Sequence, residues 1–273
     1  MTTRRTLVTS VAVGLGLCVA ASTWRVSGAV TRLDRRAPTE TAVLVELFTS
    51  EGCSSCPPAD ALLSEIIDRS PIAGVHVIGL SEHVDYWNQL GWRDPFSDAL
   101  FTARQQKYAA HATGAAVDNV YTPQIVVDGE TALVGSDASA ARAAIAAAAS
   151  RRKAPVRLQW TSGAPLTLDV AIEGSPADAG SRLLVAVAED DVRVSVPRGE
   201  NAGHTLAHSG VTRQLREIAR LDKSGAAHVA TALSLQPSWR RDHLRAVVMV
   251  AAETTGRIAG VAELPLTAGT AAR

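Results

Sequence analysis

Two of the three cysteines in the 273-residue chain stand two residues apart, in Glu51-Gly52-Cys53-Ser54-Ser55-Cys56-Pro57-Pro58. A pair at this spacing can exchange disulfides with other thiols, hold a metal, or close a structural disulfide. The thiolate does the first two jobs, so what matters is what stabilises a thiolate here. A zinc ribbon needs a second Cys/His pair at metal spacing, and no cysteine follows residue 56. A structural bond across so short a loop adds little chain-entropy stabilisation. Redox exchange is the reading carried forward, with a structural disulfide or a metal site open beside it.

The flanking elements fit that reading. The apolar run Ala42–Phe48 leads in. A helical pattern at Pro58–Arg69, with Leu62, Leu63, Ile66 and Ile67 on one face, leads out. Strand, Cys-x-x-Cys turn, helix is the order of thioredoxin-like redox sites. It would set Cys53 beside the unpaired N–H groups and positive dipole end of a helix, both of which favour a thiolate.

The N-terminus reads as a targeting segment. Arg4-Arg5 precede an uncharged run from Thr6 to Trp24, and Ser27-Gly28-Ala29 offers a small-residue cleavage site. Residues 1–29 are expected to be a signal peptide or an uncleaved anchor to the cytoplasmic membrane, which would be the only membrane contact. Residues 30–40 are a linker. Export, periplasmic or secreted, would put Cys53 and Cys56 where disulfides persist. With 27 basic and 27 acidic residues and no basic patch, nucleic acid is excluded as a partner.

Further along, Val75–Leu80 reads as a buried strand, Phe101–His111 as a helix, and Ile125–Val127 with Thr131–Val134 as a hairpin turning at Asp128-Gly129. Ser136 is a candidate N-cap for the helix Asp137–Ser150. The order β-α-β-α-β-β-α predicts an α/β thioredoxin-like fold over residues 41–153, enlarged after the second strand. In that fold a cis-proline precedes the third strand beside the sulfurs, and Thr122-Pro123 holds that place. Past Pro155 come short strands: Val156–Trp160, Leu166–Ile172, Leu183–Ala188, Val192–Val196, His228–Leu235, Leu244–Ala252 and Ile258–Leu264. They predict a separate β-sandwich-like domain over residues 155–267. Val211–Leu221 is ambiguous between helix and strand.

Several stretches together resemble one family. Glu46 to Asp60, His83-Val84-Asp85-Tyr86-Trp87, Gly91-Trp92, Asp94-Pro95-Phe96, Arg104-Gln105 with Tyr108, Tyr121-Thr122-Pro123-Gln124, and Arg198-Gly199-Glu200-Asn201-Ala202-Gly203 are similar to motifs of domain of unknown function 1223. The resemblance implies an exported bacterial protein with a thioredoxin-like domain and a β-rich C-terminal part. It implies no reaction. Asn88 departs from the pattern, since an Asp is more usual there.

The residues then suggest roles. Cys53 would be the attacking sulfur and Cys56 the resolving one, with Thr122 and Pro123 holding a substrate backbone nearby. His83 and Asp85, leaving the second strand, are candidates to support a thiolate or to hydrogen-bond their own loop. Glu46 would either relay protons under the cysteines or pair with Arg104 or Lys107. Tyr86, Trp87, Trp92 and Phe96 would close over the sheet edge or form a peptide-binding lip. Glu200 and Asn201 are open as a bridge back to the first half. The expected function is an exported thiol–disulfide oxidoreductase acting on protein or small-molecule thiols and disulfides without a cofactor. The alternatives are a copper-handling protein using Cys53, Cys56 and His83, and a non-catalytic module with a structural disulfide.

Overall fold

The computed structural model describes residues 40–114, 120–161, 165–174 and 176–266. The targeting segment expected at residues 1–29, and most of the linker, lie outside them. Among the described residues no helix is long and apolar enough to cross a membrane.

The first half forms β1 (Thr41–Thr49), α1 (Pro57–Asp68), β2 (Val75–His83), α2 (Ala99–Ala109), β3 (Thr113–Gly114), β4 (Gln124–Val127), β5 (Thr131–Val134) and α3 (Ala138–Ala149). The second adds β6 (Val156–Thr161), β7 (Thr167–Glu173), β8 (Arg182–Glu189), β9 (Val192–Ser195), β10 (Thr205–His208), β11 (Val211–Arg220), β12 (Ala226–Ala232), β13 (Leu244–Ala251) and β14 (Ile258–Pro265). The ambiguous stretch at 211–221 is therefore a strand. The hairpin turns at Asp128-Gly129, both left-handed, as Asp-Gly favours. Asp137, not Ser136, caps α3 by accepting from the Ala140 N–H.

The two-domain expectation fails at the sheet. One mixed nine-stranded sheet runs β14-β13-β8-β11-β2-β1-β4-β5-β3, so strands from both halves share a single ladder. The protein is a mostly-sheet α/β structure with three α-helices among its described residues. It is neither a thioredoxin fold joined to a second domain nor a β-sandwich. The sequence carried a sign of this. The β8 and β13 runs, Leu183–Ala188 and Leu244–Ala251, are buried without alternation, which marks central strands covered on both faces. One face packs on the small sheet β12-β7-β6, through Leu183, Val185, Val187, Ala246 and Val248 against Leu168, Val170 and Ile172. The other face packs Leu184, Ala186, Val247 and Met249 against Leu44, Ile78 and Leu80 of the first half.

The joint between the halves is narrow. β11 meets β2 in parallel through Val211 opposite Ser81, and the Ser81 N–H donates to the Gly210 carbonyl at 2.7 Å. The buried Arg245 reinforces the joint, donating to the Gly79 carbonyl at 2.8 Å, to Asp190 at 2.9 Å and to Glu263 at 2.6 Å. Gly210 has φ +68°, and a Cβ there would sit 2.6 Å from the Gly79 carbonyl oxygen. Only glycine satisfies both the conformation and the space.

On the first-half sheet, Val43, Val45 and Leu47 of β1 face α1 and α3 through Ala59, Leu63, Ile66, Ala141 and Ile145. Glu46 and Phe48 face the other way, toward Tyr108 of α2. Gly135 follows β5 where the sheet meets the start of α1. A Cβ there would lie 2.8 Å from that of Pro123, 3.0 Å from that of Ala59 and 3.1 Å from Leu47. Gly135→Ala should therefore wedge the Pro123 loop away from α1. We expect a loss of about 1–3 kcal/mol in urea unfolding, the usual cost of overpacking a tight core.

Candidate functional site

Cys53 and Cys56 form a disulfide, with Cα atoms 5.4 Å apart. Cys56 is the N-cap of α1, and Cys53 lies one turn ahead, its carbonyl accepting from the Cys56 N–H. The helix mouth offers fewer free donors than the sequence suggested. Pro57 and Pro58 have no N–H, and those of Ala59 and Asp60 already donate to the Cys56 carbonyl. Near the first sulfur the polar neighbour is the Ser55 hydroxyl, 3.3 Å from Cys53 Sγ. Ser54 and Ser55 are exposed, whereas both cysteines are 0% exposed.

The Thr122–Pro123 peptide is cis, as expected from its place in the chain. Pro123 and Ala59 crowd the same spot around Gly135, which brings the proline loop to the first turn of α1. Trp87 joins the two pieces. Its indole N–H donates to the Thr122 hydroxyl at 2.7 Å, and its Cβ would lie 3.4 Å from a Cβ on Gly52.

Two loops cover the turn. From the first half, the loop after β2 folds across it: Trp92 donates to Glu51 Oε2 at 2.7 Å, and Asp94 Oδ2 accepts from the Glu51 N–H at 2.8 Å. From the second half comes the tip of the β9–β10 hairpin. Asn201 Nδ2 donates to the carbonyls of Glu51 at 2.8 Å and Cys53 at 3.0 Å, and Glu200 accepts from the Ser54 N–H at 3.0 Å. These two residues are the bridge that the sequence left open.

Behind the disulfide lies a buried cluster of histidines and acids. His83 is the last residue of β2, which runs three residues past its predicted end. Its Nδ1 contacts Asp94 Oδ2 at 2.7 Å, and its Nε2 has no hydrogen-bond partner among the described residues. Burial pushes the Asp94 carboxyl up. His83 and the N–H groups of Glu51 and Phe96 outweigh it and hold the group below its ordinary range. The His83 ring packs edge-on to Phe96 and, at 4.9 Å, to His208. His208 ends β10 between two carboxylates, 3.6 Å from Glu51 Oε1 and 3.6 Å from Asp60 Oδ1. Burial works against charge on this ring, yet Asp60 and Glu51 raise its pKa to about 9. It is an imidazolium at neutral pH.

Asp85 is occupied elsewhere: it accepts from the Thr102 hydroxyl at 2.6 Å and pins the loop to α2. Asn88 uses both ends of its amide, accepting from the Asp94 N–H and donating to Ser97 at 2.9 Å. An aspartate could not donate there. Phe96 packs on His83 and His208 and Trp92 donates to Glu51, whereas Trp87 and Tyr86 pack on the group of Phe48, Val84 and Tyr108.

Glu46 sits on the α2 face. It takes Arg104 Nε at 2.6 Å on one oxygen and the Tyr108 hydroxyl at 2.7 Å on the other. Arg104, then, is its basic partner. Lys107 donates instead to the Glu253 carbonyl at 2.6 Å. Beside Glu46 lies Glu82, whose oxygens have no hydrogen-bond partner among the described residues. Burial first, and the Glu46 charge second, push the Glu82 carboxyl well above its ordinary range.

Among the described residues no group of three or more His, Cys, Asp or Glu side chains is arranged to hold a metal ion. In this oxidised state both sulfurs of the copper set are bonded to each other.

His208, Glu51, Asp60 and Asp94 were not singled out from the sequence as a unit. The available signal was local: Leu206 and His208 alternate along a strand, which put a histidine on a buried face next to a Ser-Gly turn.

Residues 44–251 match the family described as Protein of unknown function (DUF1223), and the chain belongs to that family. No curated protein matches the chain. The crystal structure of protein AGR_C_4864 from Agrobacterium tumefaciens is similar, at 26% identity and TM-score 0.66 over 84% of this chain and 96% of that one. HBP35 of Porphyromonas gingivalis shares the fold at 14% identity and TM-score 0.62, over 86% of this chain and 78% of that one.

The two glutamates of the α2 face should respond oppositely to mutation. Glu46→Ala leaves Arg104 only the longer Glu82 ion pair at 3.4 Å and orphans the buried Tyr108 hydroxyl, and should cost about 1–3 kcal/mol in chemical unfolding. Glu82→Gln removes a carboxyl that is hard to ionise. A raised folded-state pKa means stability is lost as pH climbs above the unfolded value. The variant should therefore match or exceed the parent at pH 7 and show a flatter stability profile from pH 4.5 upward.

Proposed function

We propose that the protein is an exported thiol–disulfide exchange protein and that Cys53 and Cys56 are its working pair. The observation that carries this is the disulfide at the first turn of α1, joined through Trp87 to the cis-Pro123 loop. A helix start offers partial positive charge to a thiolate, and a cis-proline loop leaves a substrate backbone a place to lie. A substrate thiolate attacks one sulfur, the Cys53–Cys56 bond breaks, and the other cysteine leaves as thiolate. A second substrate thiolate then attacks the substrate sulfur of this mixed disulfide, forming the substrate disulfide and releasing the protein cysteine as a thiolate. Two electrons and two protons pass from the substrate dithiol to the protein, which is left reduced, and the reverse sequence reduces a substrate disulfide. No organic cofactor takes part. The partners are thiols and disulfides of proteins or small molecules. Thr122 and Pro123 would orient them, and Ser55 would donate a hydrogen bond to a Cys53 thiolate.

A second reading has its own support. Both cysteines are 0% exposed, which favours a disulfide that only pins the helix start. Dithiol oxidation and insulin reduction, each run with Cys53→Ser as control, separate the two. The exchange reading expects turnover by the parent and a loss of at least about a hundredfold in the variant, since the exchange route needs the sulfur. Equal rates in parent and variant would leave the structural bond as the role of the pair.

A further inference from the structure

One of the two elements over the cysteine turn is not held by the main sheet. Among the described residues β9 and β10 pair only with each other, from Ser195–Thr205 to Val192–His208. The root of this hairpin is fixed, because Gly210 N–H donates to Asp190 and the Gly210 carbonyl accepts from Ser81. The tip is held by fewer contacts: Arg198, Gly199, Glu200, Ala202 and Gly203 are exposed, Asn201 is buried on the carbonyls of Glu51 and Cys53, Glu200 accepts from the Ser54 N–H, and Gly199 lies beside Trp92. Between root and tip, β10 lies against α1. The contact there is His208 between the Asp60 and Glu51 carboxylates, with Ser209 accepting from or donating to Ser64 at 3.0 Å beside it.

We propose that the β9–β10 hairpin is a cover over the Cys53–Cys56 disulfide, latched by His208 between Glu51 and Asp60, so that the charge on that ring governs access to the sulfurs. This rests on the exchange reading for its purpose but not for its test. The latch is electrostatic. At 3.6 Å neither carboxylate is hydrogen-bonded to the ring, and Glu51 Oε1, Asp60 Oδ1 and both ring nitrogens have no hydrogen-bond partner among the described residues. Without the proton the ring leaves two buried carboxylates facing a neutral group, and the closed state loses its main attraction in the low-dielectric interior.

The other groups around the ring do not substitute for it. Glu51 approaches from the cysteine turn and Asp60 from α1. His83 approaches edge-on from β2, with Asp94 bonded to its far side. Phe96 covers the fourth side, with Arg213 stacked on its outer face and paired to Glu189. Apart from His208, the one fixed cation among these is Arg213, and an aromatic ring stands between it and the carboxylates. The closed state raises the His208 pKa to about 9 from its ordinary value of 6.5. It is therefore favoured below 6.5, loses ground as pH rises from there to about 9, and changes no further above.

The test reads access, not turnover. A phosphine reductant is applied to the full oxidised chain at pH 7 and pH 10, and the Cys53–Cys56 thiols are trapped and counted by mass spectrometry. Rates are divided by those for oxidised glutathione at the same pH. The parent should be reduced roughly tenfold or more faster at pH 10 than at pH 7, with unchanged circular dichroism. His208→Gln should be fast at both and flat. Asn201→Ala, which frees the tip without touching the ring, should be faster at pH 7 and keep the pH step. A parent rate independent of pH, a His208→Gln profile like that of the parent, or a rise that comes only with loss of the circular dichroism signal overturns the proposal. Should His208→Gln not fold, amide hydrogen exchange of the parent decides. Protection of residues 51–56 and 196–208 must fall between the two pH values, while that of α3, corrected for intrinsic rate, holds; uniform change overturns it. A pH-gated disulfide without turnover keeps the cover and removes the exchange reading. Turnover with an ungated disulfide does the reverse.

Discussion

The structure hangs on one parallel contact, Val211 of β11 beside Ser81 of β2. The second-half strands of the main sheet join the first-half strands at this one pairing, while Leu184, Val247 and Met249 pack beside it on Leu44, Ile78 and Leu80. Because Gly210 must lie under Ser81, the residues just before it, His208 and Ser209, are delivered to α1. Because β8 and β13 extend the sheet from β11, their outer face becomes the floor under Leu44, Ile78 and Leu80. Arg245 holds the joint from beneath with the Gly79 carbonyl and two acids. A buried guanidinium that satisfies several acceptors at once fixes geometry in a way apolar packing alone does not.

The joint also explains why the cluster behind the disulfide is assembled from distant pieces. Glu51, Asp60 and His83 come from the first half, Asp94 from the loop after β2, and His208 and Asn201 from the second half. Buried charges survive only when paired, and here each carboxylate has a partner supplied by another segment. Glu51 has Trp92 and His208, Asp60 has His208, and Asp94 has His83 and two backbone donors. The cover and the floor of the site are thus one electrostatic assembly. Its net attraction depends on a histidine whose charge is conditional.

Local structure was legible in the chain to the extent that it is locally caused. The Asp-Gly turn, the apolar strands and the three helices follow from short-range chemistry, and their bounds shifted by one or two residues in most cases. The Cys-x-x-Cys pair and the Thr122-Pro123 loop were legible because their residue types are rare and their spacing constrained. What was not legible was the meeting of β11 with β2. A one-pair parallel contact between residues 81 and 211 leaves no periodic trace, so a chain whose first half follows a known element order reads as a finished domain. The run of unalternating apolar residues in β8 and β13 was evidence against a two-layer sandwich, since such strands need cover on both faces. His208 escaped for the same reason as the joint: its partners lie roughly 150 residues upstream, fixed only by the fold.

The two proline residues after Cys56 bear on the chemistry of the pair. In a helix that opens on ordinary residues, several amide donors would remain to hold a thiolate. Here Pro57 and Pro58 remove two, and the Cys56 carbonyl occupies the next two. The acids nearby, Glu51, Asp60 and Glu200, would by charge oppose a thiolate at Cys53. Their effect is offset where they are engaged: Glu51 and Asp60 by the His208 imidazolium, and Glu200 by the Ser54 N–H. The same ring that closes the cover therefore screens the sulfurs from two carboxylates. Loss of its proton would both admit a reductant and make a Cys53 thiolate harder to form. An opened pair would then be a weaker attacking nucleophile, while its disulfide would be easier to reach.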